Sequence, residues 1–124
     1  MDIYTRRSFS HENMMQLINV YFKEQERDVK ARINCTDNGS CIKLKETVSF
    51  DGCTKTAERE MKKEQLDEII CDIFSRVGQQ VISVINYAKA GTKVVDCGFE
   101  HVVEPNEARQ FIVITKEKSK VAFR

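Results

Sequence analysis

The feature that most constrains this fold is one long apolar pattern across residues 62–88. Its apolar side chains recur at three- and four-residue steps, as on one face of an α-helix: Leu66, Ile69, Ile70, Ile73, Val77, Val84, Ile85 and Ala88. A continuous helix of this length spans about 40 Å at roughly 1.5 Å per residue. That exceeds the diameter of about 26–28 Å expected for the whole domain. Val81 and Ile82 make the second half apolar off the stripe too, so we expect a second copy of the protein, in at least a dimer, to cover it.

The composition is that of one ordinary globular domain over residues 1–124. Hydrophobic residues make up 41% and charged residues 31% of the chain, which excludes an intrinsically disordered protein. The 20 Lys and Arg against 19 Asp and Glu leave a net charge of +1, whereas general nucleic-acid binders usually carry a larger positive excess. No run approaches the roughly 18 apolar residues of a membrane span, and the start lacks a signal peptide. We expect a cytoplasmic protein that binds neither membranes nor nucleic acids in general.

The five cysteines, at positions 35, 41, 53, 71 and 97, show no Cys-x-x-Cys spacing. We interpret them as free, buried thiols in a reducing compartment. A zinc site would need ligands from distant positions, with only His11 and His101 to help. We therefore expect neither a metal nor a cofactor.

The chain is expected to begin with a strand and a capped helix. A short strand is expected at residues 2–8. Ser10 is a good helix N-cap, and Glu12 puts negative charge in the first turn. The helix that follows is expected to run to about Glu26, because no Gly, Pro or β-branched run interrupts it.

The clearest local pattern is a hairpin. Residues 28–36 alternate between apolar and polar side chains. The dipeptide Asn38-Gly39 then favours a two-residue type I′ turn, because both residues tolerate positive φ. Taking these two as the loop places Cys35 opposite Ile42.

A second two-residue turn, Asp51-Gly52, extends the hairpin into a meander of three antiparallel strands. The outer face carries four cations, Lys30, Arg32, Lys43 and Lys45. This cluster is either a solvated face or an anion-facing one. The register points Glu46 inward, where it is either a buried acid with a raised pKa, typical of a functional site, or an acid at the sheet margin in water.

A last hairpin is expected after Gly91, which suits the C′ position of a helix. Its strands are residues 95–103 and 111–115, joined by a turn at 104–108. The return strand is apolar on both faces, which again suggests a subunit contact. The order (β)αβββαββ predicts an α+β fold in which two helices pack on one face of an antiparallel sheet of five or six strands.

No catalytic signature survives a search for chemistry. Cys97 and His101 share a strand face but lie roughly 13 Å apart, too far for proton transfer. Cys71 is interpreted as a core residue, and Asp67, Glu68 and Asp72 as a solvated helix face. No Gly-rich phosphate loop is present, so we expect no catalytic residue and no enzyme.

Binding is the chemistry that remains. Arg109 starts the return strand of the last hairpin just past Asn106, and Phe99 and His101 lie on the neighbouring strand. A ring stacked on a base and a guanidinium on a phosphate are how proteins hold nucleotides. Arg59 and Arg124 also flank elements. The candidate ligand-binding residues are therefore Arg109, Phe99, His101, Asn106, Arg124 and Arg59, against the alternative that Phe99 is core and Arg109 a surface charge.

The overall plan resembles the Thoeris anti-defence 1 family of small phage proteins. The resemblance lies in the short length, two helices against an antiparallel sheet, expected self-association and lack of catalytic motifs, and it covers nearly the whole chain. It implies an oligomeric, non-enzymatic sponge that sequesters a cyclic ADP-ribose signal in the cytoplasm of a bacterial host. No short motif carries the resemblance, so no residue is transferred from the family.

A second interpretation is a protein–protein interaction module, such as an effector chaperone or an inhibitor of a bacterial defence enzyme. Such a module would grip its partner through the apolar helix or a sheet edge. A third, an enzyme working through Glu46 or a cysteine, predicts that one substitution there abolishes product formation.

Overall fold

The structure, a computed structural model, describes residues 3–36, 39–96 and 98–117. The described residues form two α-helices and eight strands, which confirms the α+β class. In chain order the elements are β1 (Tyr4–Phe9), α1 (His11–Glu24), β2 (Asp28–Thr36), β3 (Gly39–Phe50), β4 (Cys53–Glu60), α2 (Lys63–Ser75), β5 (Gln79–Asn86), β6 (Lys93–Asp96), β7 (Phe99–Val102), a 3-10 helix (Pro105–Glu107) and β8 (Phe111–Glu117).

The strands form three antiparallel sheets in place of the single sheet of five or six strands expected from the sequence. Strand β8 lies between β1 and β5, β3 lies between β2 and β4, and β6 pairs with β7. The chain has two more strands after α2 than predicted. The single-sheet prediction fails because part of the expected long helix is itself a strand.

The predicted helix across residues 62–88 is wrong in its second half. Helix α2 ends at Ser75, and β5 begins at Gln79. Gly78 between them has φ +77°, a left-handed conformation that an α-helix excludes and that glycine adopts at little cost. The β-branched residues that follow favour a strand. A short run that is apolar on both faces shows no period that separates a buried strand from a helix.

Both faces of β5 and β8 are covered within one chain. On one face the helices pack against Val84, Phe111 and Val113. On the other face, Ile85 and Ile112 belong to a second apolar cluster that lies against the β6–β7 ribbon. The apolar stripe and the doubly apolar return strand, which predicted a subunit contact, are therefore both accounted for without one.

Helix α1 forms as predicted, with its cap. The Ser10 hydroxyl accepts a hydrogen bond from the backbone N–H of Asn13 at 3.1 Å, which satisfies one of the free N–H groups of the first turn. Met14, Ile18 and Phe22 form its buried face. The helix ends at Glu24, two residues before the predicted end.

The meander β2–β3–β4 is confirmed, but its first register is shifted by two residues. Ile33, not Cys35, lies opposite Ile42, and Thr36 pairs with Gly39. Residues 37–38 lie outside the described residues. A shift of two keeps every side chain on its predicted face. The second turn is as predicted, with φ +50° at Asp51 and +76° at Gly52.

The predicted last hairpin is wrong in its pairing. Strand β7 pairs with β6, so that His101 lies opposite Val94, and β8 crosses to pair with β1 and β5. The predicted turn at 104–108 contains the 3-10 helix, which is closed by reciprocal capping bonds between Glu104 and Glu107. Cys97 and the basic tail from residue 118 onward lie outside the described residues. Among the helices the structure describes, neither is long and apolar enough to cross a membrane.

Candidate ligand-binding groove

The principal concave surface is a groove between the β2–β3 hairpin tip, the start of α2 and the end of β5. Its larger half has a volume of about 650 Å³ and runs past Tyr87 and Lys89 toward β6. Its smaller half, of about 490 Å³, extends along the start of α2. Ser40, Lys63 and Asn86 line both halves, so we treat them as one groove, called the β5–α2 groove below.

One polar contact lies where the two halves of the groove meet. The Ser40 hydroxyl donates a hydrogen bond to Oδ1 of Asn86. This bond joins the tip of the β2–β3 hairpin to the end of β5. A hydroxyl and an amide therefore lie side by side at the centre of the groove, where they present both donors and acceptors to a ligand.

Charged side chains of both signs line the groove: Lys62, Lys63 and Lys89, and the carboxylates Glu60, Glu64 and Asp96. Lys62 and Lys63 occupy the N-cap and first position of α2, and the Lys62 side chain makes no capping bond. Cations are unfavourable at this end of a helix, because the helix dipole is positive there. Lys63 is compensated by an ion pair with Asp67 at 3.0 Å. Lys89 lines the other side of the groove and makes no ion pair with any described residue.

An aromatic ring backed by a guanidinium forms part of the groove wall. The Arg109 guanidinium carbon lies 6.0 Å from the centroid of the Tyr87 ring. Both residues have a left-handed backbone conformation, with φ +52° at Tyr87 and +59° at Arg109. The Arg109 N–H donates to the Ala88 carbonyl at 2.9 Å. The aromatic ring beside Arg109 is therefore Tyr87 and not the expected Phe99.

Phe99 and His101 lie elsewhere, on the inner face of the β6–β7 ribbon. Their ring centroids are 5.8 Å apart, and the Phe99 ring lies 5.0 Å from that of Tyr4. Arg6 reaches the same region, donating to the Val102 carbonyl at 2.6 Å and pairing with Glu107 at 2.7 Å. These residues form a separate, partly exposed cluster and do not line the groove.

His101 is buried, and neither ring nitrogen has a hydrogen-bond partner among the described residues. Burial holds the pKa of His101 below its usual value of 6.5, and the Arg6 charge lowers that pKa further. Glu107 and Asp96 act in the opposite direction. The imidazole is therefore held in its neutral form inside the protein.

The other predicted ligand-binding residues are dispersed. Asn106 is exposed on the 3-10 helix. Arg59, on β4, pairs with Glu46 at 3.2 Å and does not approach the groove. Arg124 lies outside the described residues. Of the six predicted residues, Phe99 and His101 come together, and Arg109 alone meets the groove, through Tyr87.

Glu46 is an ionised structural acid. Arg27 donates two hydrogen bonds to its carboxylate, at 2.9 and 2.8 Å, and Arg59 a third. The Arg27 hydrogen bonds chiefly lower the pKa of Glu46 to about 2, with a further contribution from Arg59. The alternative of a buried acid with a raised pKa is therefore wrong, and Glu46 cannot donate a proton near neutral pH.

The described cysteines are not the buried thiols that were expected. Cys35, Cys53 and Cys71 are exposed and Cys41 is half-buried, all without a disulfide. The assignment of Cys71 to the core is wrong, although partial burial raises the pKa of its thiol. Within residues 3–36, 39–96 and 98–117, no three His, Cys, Asp or Glu side chains are placed to hold a metal ion.

The groove residues that the sequence analysis missed come from the end of the mistaken helix. Asn86, Tyr87 and Lys89 were assigned to its last turn. The signal that could have found them is the β-branched run of β5, which predicts a strand followed by a loop rather than a helix end.

No protein-family model, curated protein or solved structure matches this chain. The groove combines lysines, the central Ser40–Asn86 contact and the Tyr87 ring beside Arg109.

Proposed function

We propose that this protein binds a small anionic nucleotide in the β5–α2 groove without turning it over. The observation that carries the proposal is an aromatic ring, Tyr87, lining the same groove as the cations Lys63 and Lys89. Nucleotide-binding proteins combine such a stacking surface with positive charge on the phosphates. The volume of about 650 Å³ lies within the range of about 300–1,000 Å³ typical of small-molecule sites.

Each groove residue has a role in this proposal. The base stacks on Tyr87, whose opposite side is stiffened by Arg109. Lys89 and Lys63 neutralise the phosphates from the two sides, which for Lys63 offsets the unfavourable position of a cation at the N-terminus of α2. Ser40 and Asn86 supply the hydroxyl and amide that bond to sugar hydroxyls.

The proposal assigns no catalytic role to the groove. In the larger half Asp96 accepts a hydrogen bond from the Ser83 hydroxyl at 2.8 Å, and in the smaller half the carboxylates are Glu60 and Glu64 beside the start of α2. Binding without turnover is the property of a sponge that lowers the free concentration of a signal. The resemblance to the Thoeris anti-defence 1 family suggests a cyclic ADP-ribose signal of bacterial anti-phage defence, captured in the host cytoplasm.

Calorimetry with a panel of cyclic nucleotides and ADP-ribose derivatives tests the proposal. We expect heat from one class of ligand at a stoichiometry of one per chain. A Lys89→Glu variant should reverse the charge at one side of the groove and weaken binding at least about tenfold. Lys55→Glu, on exposed strand β4, is the matched control and should bind like the unmodified protein. Absence of heat with every member of the panel contradicts the proposal.

A protein–protein interaction module is the second candidate, and one observation favours it. Val48 and Phe50, at the far end of the β3–β4 hairpin, are 56% and 76% exposed, and large exposed apolar side chains of this kind mark contact surfaces. The predicted homo-oligomer would use the same hairpin. Recovery of a stoichiometric protein that is lost on Phe50→Ser substitution, with no small molecule required, would favour this function.

A further inference from the structure

The outer face of the meander carries a compact array of four cations. Lys30 and Arg32 on β2 lie directly opposite Lys45 and Lys43 on β3, and all four side chains are exposed. Like charges directly opposite each other in a sheet are destabilising. The whole chain has a net charge of only +1, so this concentration of positive charge is local.

These four cations are only partly offset by neighbouring carboxylates. The third strand places Glu60 opposite Lys43 and Glu58 opposite Lys45. Even so, none of the four cations forms an ion pair with a carboxylate in the part of the chain that the structure describes. The array therefore keeps cationic donors that no ion pair among the described residues occupies, and Glu58 and Glu60 reduce its positive potential only from the β4 side.

The array has the dimensions of a small anion. Neighbouring strands lie about 4.8 Å apart, and residues two apart on a strand about 6.7 Å, so the four Cα atoms outline a rectangle of about 5 by 7 Å. A depression of about 520 Å³ lies among the four side chains, with Asn34 at its edge. Glu58 also borders the depression, which limits the positive footprint to two strands.

We propose that this face binds an oligophosphate group, such as the di- or triphosphate of a ligand, at a second site separate from the β5–α2 groove. Multiple adjacent negative charges match four cations on two strands, and Arg32 supplies a two-pronged donor for phosphate oxygens. A nucleic-acid strand fits less well, because β4 adds two carboxylates. No aromatic residue alternates onto this face of the described strands for base stacking.

Inorganic tripolyphosphate is the probe for this site, used with the full-length chain in calorimetry and thermal unfolding. We expect one ion per chain and a melting temperature that rises with probe concentration. The Lys43→Thr/Lys45→Thr double variant retains strand-forming residues and should bind about 100-fold more weakly, about tenfold per cation removed. Without the probe it should melt close to the unmodified protein, because it loses two like-charge neighbours on β2 and two opposite-charge neighbours, Glu58 and Glu60, on β4.

Two single variants locate the ion. Lys55→Thr removes a lysine from the opposite face of the same meander, and Lys89→Ser removes one from the groove; both should bind tripolyphosphate like the unmodified protein. The proposal is overturned if the unmodified protein gives no heat at millimolar probe, or if the double variant binds equally well. Loss of binding in Lys89→Ser with retention in the double variant also overturns it, since the ion would then lie in the groove.

Discussion

The guanidinium carbon of Arg109 lies 6.0 Å from the centroid of the Tyr87 ring, beside the groove at the end of β5. Both residues have positive φ, and a backbone hydrogen bond from Arg109 to Ala88 holds the two loops together. A ring that is fixed by its backbone and by a neighbouring cation loses little freedom when a ligand stacks on it. This relationship supports Tyr87 as the stacking surface of the proposed nucleotide site.

The first prediction concerns that ring. Tyr87→Asn should weaken nucleotide binding about tenfold, because stacking of one base on an aromatic side chain contributes about 1–3 kcal/mol. Asparagine tolerates the left-handed backbone at this position, so the fold should persist. Tyr87→Phe keeps the ring and should bind nearly as well as the unmodified protein. Equal calorimetric affinities for the two variants would remove Tyr87 from the site.

Gly78 provides a test of the break between α2 and β5. At φ +77°, Gly78→Ala should lower the free energy of unfolding by roughly 1–2 kcal/mol, the cost of a Cβ in the left-handed region. No heavy atom lies within 4 Å of the added Cβ, so the cost comes from the backbone. In a continuous helix the same change would stabilise by about 1 kcal/mol.

Urea unfolding shows whether Gly78→Ala lowers or raises the free energy of unfolding. The Gly78→Asn variant is the matched control and should cost less than Gly78→Ala, because asparagine enters the left-handed region more readily. If Gly78→Ala instead raises the free energy of unfolding, the result would contradict the break at Gly78 and support the continuous helix predicted from the sequence.

Stability should decrease as the pH falls below about 6.5, because both histidines resist protonation in the folded state. Burial lowers the pKa of His11 and of His101 from 6.5. Between 6.5 and the lower folded-state pKa, the unfolded chain binds protons that the folded chain does not, so acid favours unfolding. The urea midpoint should fall from pH 7 to pH 5.5, and a His11→Leu/His101→Leu variant should show a flatter profile. Parallel profiles would contradict this assignment.

The ion pairs of Glu46 predict a different pH window. The pKa of Glu46 is lowered from 4.5 to about 2, so its contribution to stability is complete above about pH 4.5 and disappears as the pH falls toward 2. Glu46→Gln should therefore destabilise the protein at pH 7, with a difference that shrinks in acid. Glu58→Gln, on the same meander but without an ion pair among the described residues, should have little effect at either pH. A Glu46→Gln difference that is independent of pH would argue against an ionic role.

Local signals in the sequence predicted local structure well. The Ser10 cap, the Asp51-Gly52 turn and the faces of the meander follow from side-chain chemistry within a few residues. The predicted register of β2 against β3 differs from the observed one because the sequence Asp37-Asn38-Gly39 offers more than one two-residue loop. The displacement is by two residues, so the core pattern tolerates both registers.

Long-range pairing was not predictable in the same way. Val84 and Ile85 are both buried, and burial on two faces erases the alternation that identifies a strand. The partners of β8 are β1, about a hundred residues earlier, and β5, some thirty residues earlier, rather than the nearer β7. The same mistaken helix affects the candidate site. The sequence analysis identifies Arg109 but places Tyr87 and Lys89 at the end of that helix, so it misses them as groove residues.

The β5–α2 groove is the proposed nucleotide-binding site. NMR titration of the isotope-labelled protein with the tightest ligand of the calorimetric panel tests it most directly. We predict that the largest backbone amide shifts lie at Ser40, Asn86, Tyr87 and Lys89. Shifts that are confined to the β6–β7 ribbon or to the meander, with none in the groove, would contradict the claim.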